Sequence, residues 1–292
     1  MSDFRLKVFQ SVAKNLSFTK ASQELFVSQP AITKHIQELE ATYQTRLFDR
    51  QGSKISLTES GRLLLEHCER ILEDYKRLEY EMHLLHNEYI GELKLGASTT
   101  IAQYVLPPLL GSFIGKFPQV NLSLLNGNSR EIEAALQEHR IDLGLVEGVF
   151  RLPNLKYTTF LEDELVAVVH SKSRLQLPEE ITPQDLPAIP LVLRERGSGT
   201  LDVIERSLQK HGVKLSSLHV LMYLGSTESI KLFLENSDCM GIVSIRSICK
   251  ELAAGTFRVV EIKDMPMLRD FCFVQLQGQE GGLSQAFMNY MF

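Results

Sequence analysis

Residues 17–40 read SFTKASQELFVSQPAITKHIQELE, a stretch that predicts two short helices joined by a tight turn. Ser17 can cap the first helix, because its hydroxyl can accept a hydrogen bond from a free N–H of the first turn. Phe26 and Val27 fill the turn, and Ser28 can cap the second helix in the same way. The pattern therefore predicts a helix-turn-helix.

The second helix has two distinct faces. Pro30 falls in its first turn, where the missing N–H is tolerated. An apolar face recurs at helical spacing and consists of Ile32, Ile36 and Leu39. The opposite face and the leading end are polar and consist of Gln29, Pro30, Thr33, Lys34 and Gln37. Such side chains suit contacts with base edges and phosphates in a major groove, so the helix is predicted to read DNA.

A basic hairpin follows, TRLFDRQGSKISLTESG (45–61), with its tip at 51–53. Arg46, Arg50 and Lys54 surround the tip, where they can contact phosphates or enter a minor groove. Residues 1–62 hold nine Lys or Arg against six Asp or Glu, whereas the whole chain has a net charge of −5. The local excess of positive charge favours nucleic acid as the partner of the N-terminal segment.

The order of these elements resembles the winged helix-turn-helix of LysR-type transcriptional regulators. The resemblance is carried by SQPAITKHIQELE, RLFDR, LTESG and the long helix that follows, and the layout of the whole chain agrees with it. It implies that the recognition helix and wing contact bases and backbone, and that the preceding helix meets a phosphate. The predicted DNA-contacting residues are Thr19, Lys20, Ser28, Gln29, Pro30, Thr33, Lys34, Arg50 and Lys54.

Two other interpretations of this segment are possible. Capped amphipathic helices with polar outer faces also occur in small helical domains that bind nothing, but such domains do not explain the basic hairpin. Residues 17–20 form an S-x-x-K pattern like that of penicillin-binding enzymes, yet the S-D-N and K-T-G elements that those enzymes need are missing from the sequence. A capping role for Ser17 is favoured.

A long helix is predicted from Thr58 towards Gly91. Apolar residues recur along it at alternating steps of four and three: Leu64, Cys68, Ile71, Tyr75, Leu78, Met82, Leu85 and Tyr89. This is the a/d pattern of a coiled coil, which a single helix cannot bury alone. Packing on its own domain is the alternative, but the pattern extends well past the DNA-binding segment, so a homodimer is predicted. Cys68 is expected in or near the helix seam as a small apolar residue.

Composition limits the remaining function classes. The chain has 292 residues and 44% hydrophobic content, enough for about two domains and a connector. It has no apolar run long enough to span a membrane, and its N-terminus lacks a signal sequence, so a cytoplasmic protein without membrane contact is expected. The four cysteines lie far apart and predict neither a zinc site nor a disulfide framework. His83 and His86 have no neighbouring ligands in the sequence, so no metal site is predicted.

From Gly91 the pattern alternates between strands and helices, which indicates an α/β fold. Strands are predicted at 91–98, 120–127, 141–148, 155–161, 164–170, 191–195, 218–224, 241–245 and 269–277. Helices are predicted at 100–117, bent or interrupted by Pro107–Pro108, and at 130–139, 200–211 and 227–236.

The resemblance implies a two-lobed effector domain like periplasmic solute-binding proteins. The predicted domains are 1–62 (an all-α winged helix-turn-helix), 63–90 (coiled-coil linker helix) and 91–292 (effector domain), with lobe I at about 91–164 and 268–292 and lobe II at about 165–267.

Four strand-to-helix junctions of this domain are rich in hydroxyls, amides and glycines. Free N–H groups at helix starts favour anions. Any single junction is better explained as a helix cap, but the convergence of four junctions, two in each predicted lobe, predicts a binding site. Arg194 or Arg196 can supply countercharge, and Glu147 can accept from a ligand or pair with an arginine. The predicted effector-binding residues are Ser98, Thr99, Thr100, Asn128, Glu147, Arg194, Ser198, Gly199, Thr200 and Thr227.

Two function classes remain: a ligand-responsive transcription regulator, and an enzyme or transport receptor built on the same two-lobed domain. The G-S-G-T stretch lacks the Lys-Ser/Thr of a phosphate-binding loop, and no catalytic constellation is visible in 91–292, so no catalytic residue is predicted. The regulator is favoured, with double-stranded promoter DNA and a small anionic metabolite as partners and no cofactor. The resemblance further implies RNA polymerase as a partner and pairing of dimers into a tetramer.

Overall fold

The chain forms two compact units that divide between Glu88 and Tyr89. The computed structural model describes residues 4–51, 54–84, 89–278 and 281–291. No helix within these ranges is both long and apolar enough to cross a membrane.

The N-terminal unit is a winged helix-turn-helix. Its elements are α1 (Phe4–Asn15), α2 (Phe18–Glu24), α3 (Gln29–Tyr43), β1 (Phe48–Gln51), β2 (Lys54–Leu57) and α4 (Glu59–Leu84). The predicted caps form: the Ser17 hydroxyl accepts a hydrogen bond from Lys20 N at 3.2 Å, and that of Ser28 accepts one from Ala31 N at 3.4 Å. The strands β1 and β2 pair antiparallel, so this unit is not purely helical.

One apolar core holds the helices and the wing together. The predicted face of α3 is buried, with Ile32, Ile36 and Leu39 at most 4% exposed. It packs with α1 and with the first turns of α4, where Cys68 is fully buried and its thiol donates to Leu6 O at 3.3 Å. The expectation that Cys68 lies in a seam between two helices is therefore wrong. Cys68 belongs to the core of its own unit, because the wing and α1 cover this end of α4.

The predicted apolar stripe of α4 divides into two parts. Leu64 and Cys68 pack on the unit's own core, whereas Ile71, Leu78 and Met82 are 40–53% exposed. The helix is described to Leu84, and the predicted stripe residue Leu85 and the neighbouring His86 lie outside the described residues. Tyr89 is the first residue of the second unit and is not helical, so the predicted continuation of the stripe to Tyr89 is wrong. Its ring packs against Phe117 of the same unit, with centroids 4.5 Å apart.

The second unit is an α/β domain. Its strands are β3 (Gly91–Ser98), β4 (Val120–Gly127), β5 (Leu143–Glu147), β6 (Leu155–His170), β7 (Glu180–Ile181), β8 (Leu191–Arg194), β9 (Val220–Leu224), β10 (Met240–Ser244), β11 (Phe257–Ile262) and β12 (Met267–Leu276). Its α-helices are α5 (Thr99–Tyr104), α6 (Leu106–Lys116), α7 (Ser129–Gln137), α8 (Gly199–Lys210), α9 (Thr227–Glu235), α10 (Cys249–Ala253) and α11 (Gly282–Met291). Short 3₁₀ turns occur at Pro183–Ala188, Leu215–Ser217 and Ile245–Ser247.

A single continuous sheet connects two lobes, with the strand order β4-β3-β5-β12-β6-β10-β8-β9 and β11 paired to β6. We call the part around β3, β4 and β5 lobe I, and the part around β8, β9, β10 and β11 lobe II. Each lobe has its own buried apolar clusters. The strands β6 and β12 pair antiparallel with each other and pass from one lobe to the other.

Three sequence predictions differ from the observed elements. The two strands predicted at 155–161 and 164–170 are one strand, β6, because its pairing with β12 continues through the lobe junction. The predicted interruption of the helix at 100–117 occurs, but at Val105 and not at Pro107–Pro108, and it separates α5 from α6. Pro107 lies in the first turn of α6, where its missing N–H is tolerated. The sequence analysis missed β7, β11, α10 and α11.

Candidate DNA-reading surface and effector cleft

The polar face of α3 is exposed at its N-terminal end. Gln29, Pro30 and Lys34 are exposed, and Thr33 is half-buried with its hydroxyl donating to Gln29 O at 3.1 Å. Ser28 is exposed, and its hydroxyl is used as the cap of the helix. A helix with a buried apolar face and a free polar leading end can enter a major groove.

The other predicted DNA contacts lie on α2 and on the wing. Thr19 and Lys20 are exposed in the first turn of α2. Arg50 lies on β1 opposite Ile55, and Lys54 lies on β2 opposite Gln51. The hairpin thus brings both basic positions to the tip end of the wing, although residues 52 and 53 of the predicted tip lie outside the described residues.

In the α/β unit, four strands end in polar residues at the lobe junction. Ser98 ends β3, Glu147 ends β5, Arg194 ends β8 and Ser244 ends β10, and all four are at most 3% exposed. Carboxyl ends of parallel strands are the usual ligand-binding edge of an α/β sheet. The predicted hydroxyl-rich junctions therefore lie at the edge of the sheet where a ligand would bind.

Arg269, which the sequence analysis missed, organises these groups. Its guanidinium lies 2.7 Å from the Asp163 carboxylate and 3.4 Å from Glu147 Oε1, and its Nη1 donates to Thr200 Oγ1 at 2.8 Å. Glu147 also accepts a hydrogen bond from Ser98. Of the alternatives for Glu147, the structure shows pairing with an arginine, and the partner is Arg269.

Asp163 has a second set of contacts on the lobe II side. Its Oδ1 accepts from Ser244 Oγ at 2.7 Å and lies 3.6 Å from Arg246 Nε. The network thus joins the ends of β3, β5 and β10 and the start of α8 to the two strands that cross between the lobes. Buried charges of this kind are tolerated because they are paired and hydrogen-bonded.

Arg194 connects the lobes at a second place. Its side chain is 1% exposed, and its Nη2 donates to Thr99 Oγ1 of lobe I at 2.8 Å. Two further donors of the guanidinium reach Glu195 at 2.8 and 3.0 Å. Arg196, the other arginine of this junction, is exposed on lobe II next to Tyr223.

Three buried polar atoms near this contact lack a hydrogen-bond partner among the described residues. They are Arg194 Nη1, Thr100 Oγ1 and the Oε1 atom of Gln103. Thr100 is fully buried in the first turn of α5, and Gln103 lies one turn further along the same helix. Gln103 was also missed from sequence, since it lies inside the helix rather than at its start. Buried polar groups are nearly always hydrogen-bonded, so each of these atoms is a candidate ligand contact.

The remaining predicted effector residues act as caps or close contacts. Asn128 forms a capping box with Glu131, and Ser198 caps α8 through Thr200 N at 3.2 Å. Gly199 packs so closely on the Glu147 backbone that a Cβ there would overlap the Glu147 carbonyl oxygen. Thr227 is the buried first residue of α9. These four residues therefore have structural contacts at the helix starts of the α/β unit.

A second interlobe contact lies beside Gln103. The Tyr104 hydroxyl of α5 donates to Glu228 of α9, which also accepts from Lys231 Nζ at 2.9 Å. Burial and the bond to Glu228 raise the pKa of Tyr104. Desolvation opposes ionisation of Glu228, but hydrogen bonds from Tyr104 and Lys231 hold the pKa of Glu228 below its usual value. Tyr104 therefore stays a donor and Glu228 a charged acceptor at neutral pH.

Metal chemistry has no support in the described parts of the chain. Across these ranges, no group of three or more His, Cys, Asp or Glu side chains is placed to hold a metal ion.

Both units match known family models. Residues 4–62 match the model "Bacterial regulatory helix-turn-helix protein, lysR family", and residues 86–291 match "LysR substrate binding domain". The chain belongs to the LysR family, and it is a DNA-binding transcription regulator with an effector-binding domain.

Individual relatives cover most of the chain. The HTH-type transcriptional regulator CysL of Bacillus subtilis is 29% identical over 269 residues, 92% of this chain and 89% of that protein. YeiE of Escherichia coli K12, described as an uncharacterized HTH-type transcriptional regulator, is 34% identical over 258 residues, 88% of this chain and 85% of that protein. The regulatory domain of CcmR from Synechocystis PCC6803, solved in complex with 2-PG, is 28% identical with a TM-score of 0.62, covering 69% of this chain and 95% of that one.

Proposed function

We propose that this regulator responds to a small anionic metabolite bound between the lobes, next to Thr99, Thr100 and Arg194. The observation that carries the proposal is the set of unpartnered buried atoms, Arg194 Nη1, Thr100 Oγ1 and Gln103 Oε1. A guanidinium N–H that is buried without an acceptor is strongly unfavourable, so an acceptor from a ligand would be stabilising. An oxyanion supplies such an acceptor, and the Thr100 hydroxyl can donate to it as well.

The charges around the site also favour an anion. Arg269 is balanced by Asp163 and Glu147, and is therefore committed to the network. The carboxylate that pairs with Arg194 is that of Glu195, which accepts from the Nε and Nη2 atoms and not from Nη1. Since Nη1 is the donor left over, the ligand is expected to carry a carboxylate, phosphate or sulfate group. The CcmR regulatory domain in complex with 2-PG supports a small-molecule ligand in this class of domain.

A bound anion would bridge the lobes, because Thr100 lies in lobe I and Arg194 in lobe II. Such a ligand changes the equilibrium between lobe arrangements only if it binds one arrangement more tightly than the other. The interlobe contacts from Arg194 to Thr99 and from Tyr104 to Glu228 would be kept or broken according to the arrangement. We infer that effector binding strengthens or replaces these contacts.

A thermal-shift screen of the full chain tests the effector site. Phosphate, sulfate and small organic acids are the probes, with uncharged analogues of the same size as controls. We expect at least one anion class to raise the melting temperature in proportion to the logarithm of its concentration. Thr100→Val and Arg194→Gln should remove the shift, whereas Thr158→Val, a matched change in β6, should preserve it. An equal shift in all three variants would exclude this site.

On the DNA side, we propose that α3 reads bases and that α2 and the wing hold phosphates. The exposed leading end of α3 carries this assignment, since Gln29, Pro30 and Lys34 are all exposed. Gln29→Ala should lower specific binding by about 1–3 kcal/mol and relax the preference at one base pair. Arg50→Ala or Lys54→Ala should weaken binding to all sequences and reduce the salt dependence by about one counterion. Gln10→Ala on α1 is the control, and equal binding by the Gln29 and Gln10 variants would contradict the assignment.

We propose a homodimer formed through the exposed stripe of α4, which would present two reading helices to a roughly palindromic site.

Further pairing through the sheet edges would give a tetramer. The edge strand β4 exposes Leu124 and Leu125, and the opposite edge strand β9 exposes Leu221 and Met222. Apolar side chains on unpaired edges are unfavourable in water, and a second copy would cover them. Light scattering of the full chain distinguishes these states.

We infer from the family that this regulator acts on promoter DNA in the cytoplasm, contacts RNA polymerase and catalyses no reaction of its own. A bacterial two-hybrid or crosslinking experiment with RNA polymerase tests the contact.

A further inference from the structure

The turn between α2 and α3 holds a phenylalanine in an unusual position. Phe26 is 95% exposed, and its backbone has a φ of +55°. The chain reverses here through two hydrogen bonds, from Val27 N to Ser22 O at 3.1 Å and from Phe26 N to Gln23 O at 3.4 Å. This is the Schellman arrangement, in which the residue after the helix cap adopts the left-handed conformation. Phe26 occupies that left-handed position.

Both features oppose phenylalanine in the isolated unit. The left-handed region favours glycine or asparagine, because a Cβ crowds the following carbonyl group. The ring contributes no burial energy while it stays in water. The apolar contact that accompanies this motif is supplied instead by Val27, which is half-buried against the core. The fold therefore gains nothing from the ring of Phe26, and the function of the ring lies outside the monomer.

The position of Phe26 indicates what the ring contacts. It precedes Ser28, the cap of α3, by two residues, and Ser28, Gln29 and Pro30 are all exposed. Phe26 therefore lies directly before the end of α3 that reads DNA under the proposed function. The present inference rests on that proposed function. The apolar group that a base pair presents in the major groove is the thymine methyl, and phenylalanine is one of the side chains that contact it.

We propose that Phe26 packs against a thymine methyl group of the operator half-site and so determines a base preference beyond those of Gln29 and Thr33. The contact would remove both the ring and the methyl group from water, which accounts for an exposed aromatic residue in a strained turn. A matched control is present in the same unit. Leu16 also has a positive φ, +45°, and is 48% exposed, but it precedes α2, whose predicted contacts are phosphates.

The test uses the full chain and an operator selected by the wild-type protein from random DNA. Phe26→Asn should keep or raise the melting temperature, because asparagine suits the left-handed conformation, while its binding to the operator weakens. Replacing each thymine in turn by deoxyuridine removes one methyl group. At the contacted position the wild type should lose roughly fourfold in affinity, the equivalent of one buried methyl, and Phe26→Asn should lose nothing further there. Leu16→Asn should keep the wild-type response to deoxyuridine.

Three results would overturn the proposal. The first is wild-type affinity and wild-type deoxyuridine sensitivity in Phe26→Asn. The second is an equal loss on operator and random DNA, which would assign the ring to the sugar-phosphate backbone. The third is normal DNA binding with lost transcriptional control, which would assign it to a protein partner. If Gln29→Ala loses discrimination while Phe26→Asn does not, reading by α3 stands and the role of Phe26 alone is wrong.

Discussion

Arg269 and Asp163 face each other on neighbouring strands and form a fully buried ion pair. They are register partners in the β12–β6 ladder, their closest atoms lie 2.7 Å apart, and neither side chain has solvent exposure. The pair lies where both strands cross from one lobe to the other. A buried charge that loses its partner destabilises a fold much more than a broken surface pair does.

Asp163→Asn should therefore lower the free energy of unfolding of the α/β unit by about 3–5 kcal/mol. Chemical denaturation followed by circular dichroism measures this change. Glu180→Gln is the control, because Glu180 and Lys263 form an ion pair at 3.9 Å in which both side chains are more than half exposed. That variant should change stability by less than about 1 kcal/mol. Equal effects from both variants would show that the buried pair has no special role.

The stability of the α/β unit should also depend on pH through Glu133. Burial raises the pKa of Glu133, although the hydrogen bond from Tyr157 and the charge of Arg151 oppose the shift. A carboxyl whose pKa is higher in the folded state stabilises the fold when protonated, and this contribution is lost as pH rises through the folded pKa. Glu133→Gln keeps an acceptor for Tyr157 and should raise the melting temperature at neutral pH, with the gain vanishing at acid pH. The exposed Glu92→Gln should show no such trend.

Dimerisation should depend on the exposed part of the α4 stripe. Leu78→Glu places a charge among side chains that need a partner helix, so the variant should become monomeric in light scattering. Its DNA affinity should fall as well, since one of the two reading helices is lost. Leu63→Glu changes a leucine of the same helix that is 59% exposed but lies outside the stripe, and this variant should remain dimeric. A dimeric Leu78→Glu variant would place the dimer contact elsewhere.

Only one of the four thiols should react quickly with a thiol reagent. Burial raises the pKa of Cys68 to about 12 and that of Cys239 to about 11, and Cys272 is also buried. Cys249 is exposed, so its sulfur is accessible to the reagent. Titration of the native protein at mildly alkaline pH should show one fast equivalent, which Cys249→Ser removes. A fast phase that survives this change would mean that a buried thiol opens to solvent.

Local signals in the sequence predicted the DNA-binding unit well. The caps Ser17 and Ser28, Pro30 and the apolar face of α3 each act within one or two turns, so their structural effect can be read from neighbouring residues. The hydroxyl-rich strand ends are also visible as local patterns, and one of them, Ser98–Thr99–Thr100, lies at the lobe junction. Their assignment to DNA and effector contacts stays a prediction.

Long-range contacts account for what the sequence analysis missed. Arg269 and Asp163 are 106 residues apart, and Arg269 and Thr200 are 69 apart, so no local pattern joins them. A partial signal was available in β12, where Arg269 stands in a mostly apolar strand, but Asp163 lies between Glu162 and Glu164 in β6 and does not stand out. Cys68 was misplaced for a related reason, since heptad spacing does not reveal which part of a helix its own domain covers.

The ladder of β6 and β12 has a mechanical consequence for signalling between the lobes. Ten consecutive register pairs run from Met267–Leu165 to Leu276–Leu155, with one irregularity at Phe271–Cys272. Separation of the lobes as two rigid bodies around a flexible linker would break the hydrogen bonds of this ladder. The binding free energy of a small ligand would not compensate for that loss. The available motion is a change of twist along the paired strands, in which every hydrogen bond persists. A ligand that holds one lobe arrangement would therefore act through the twist of this ladder and not by separating the lobes.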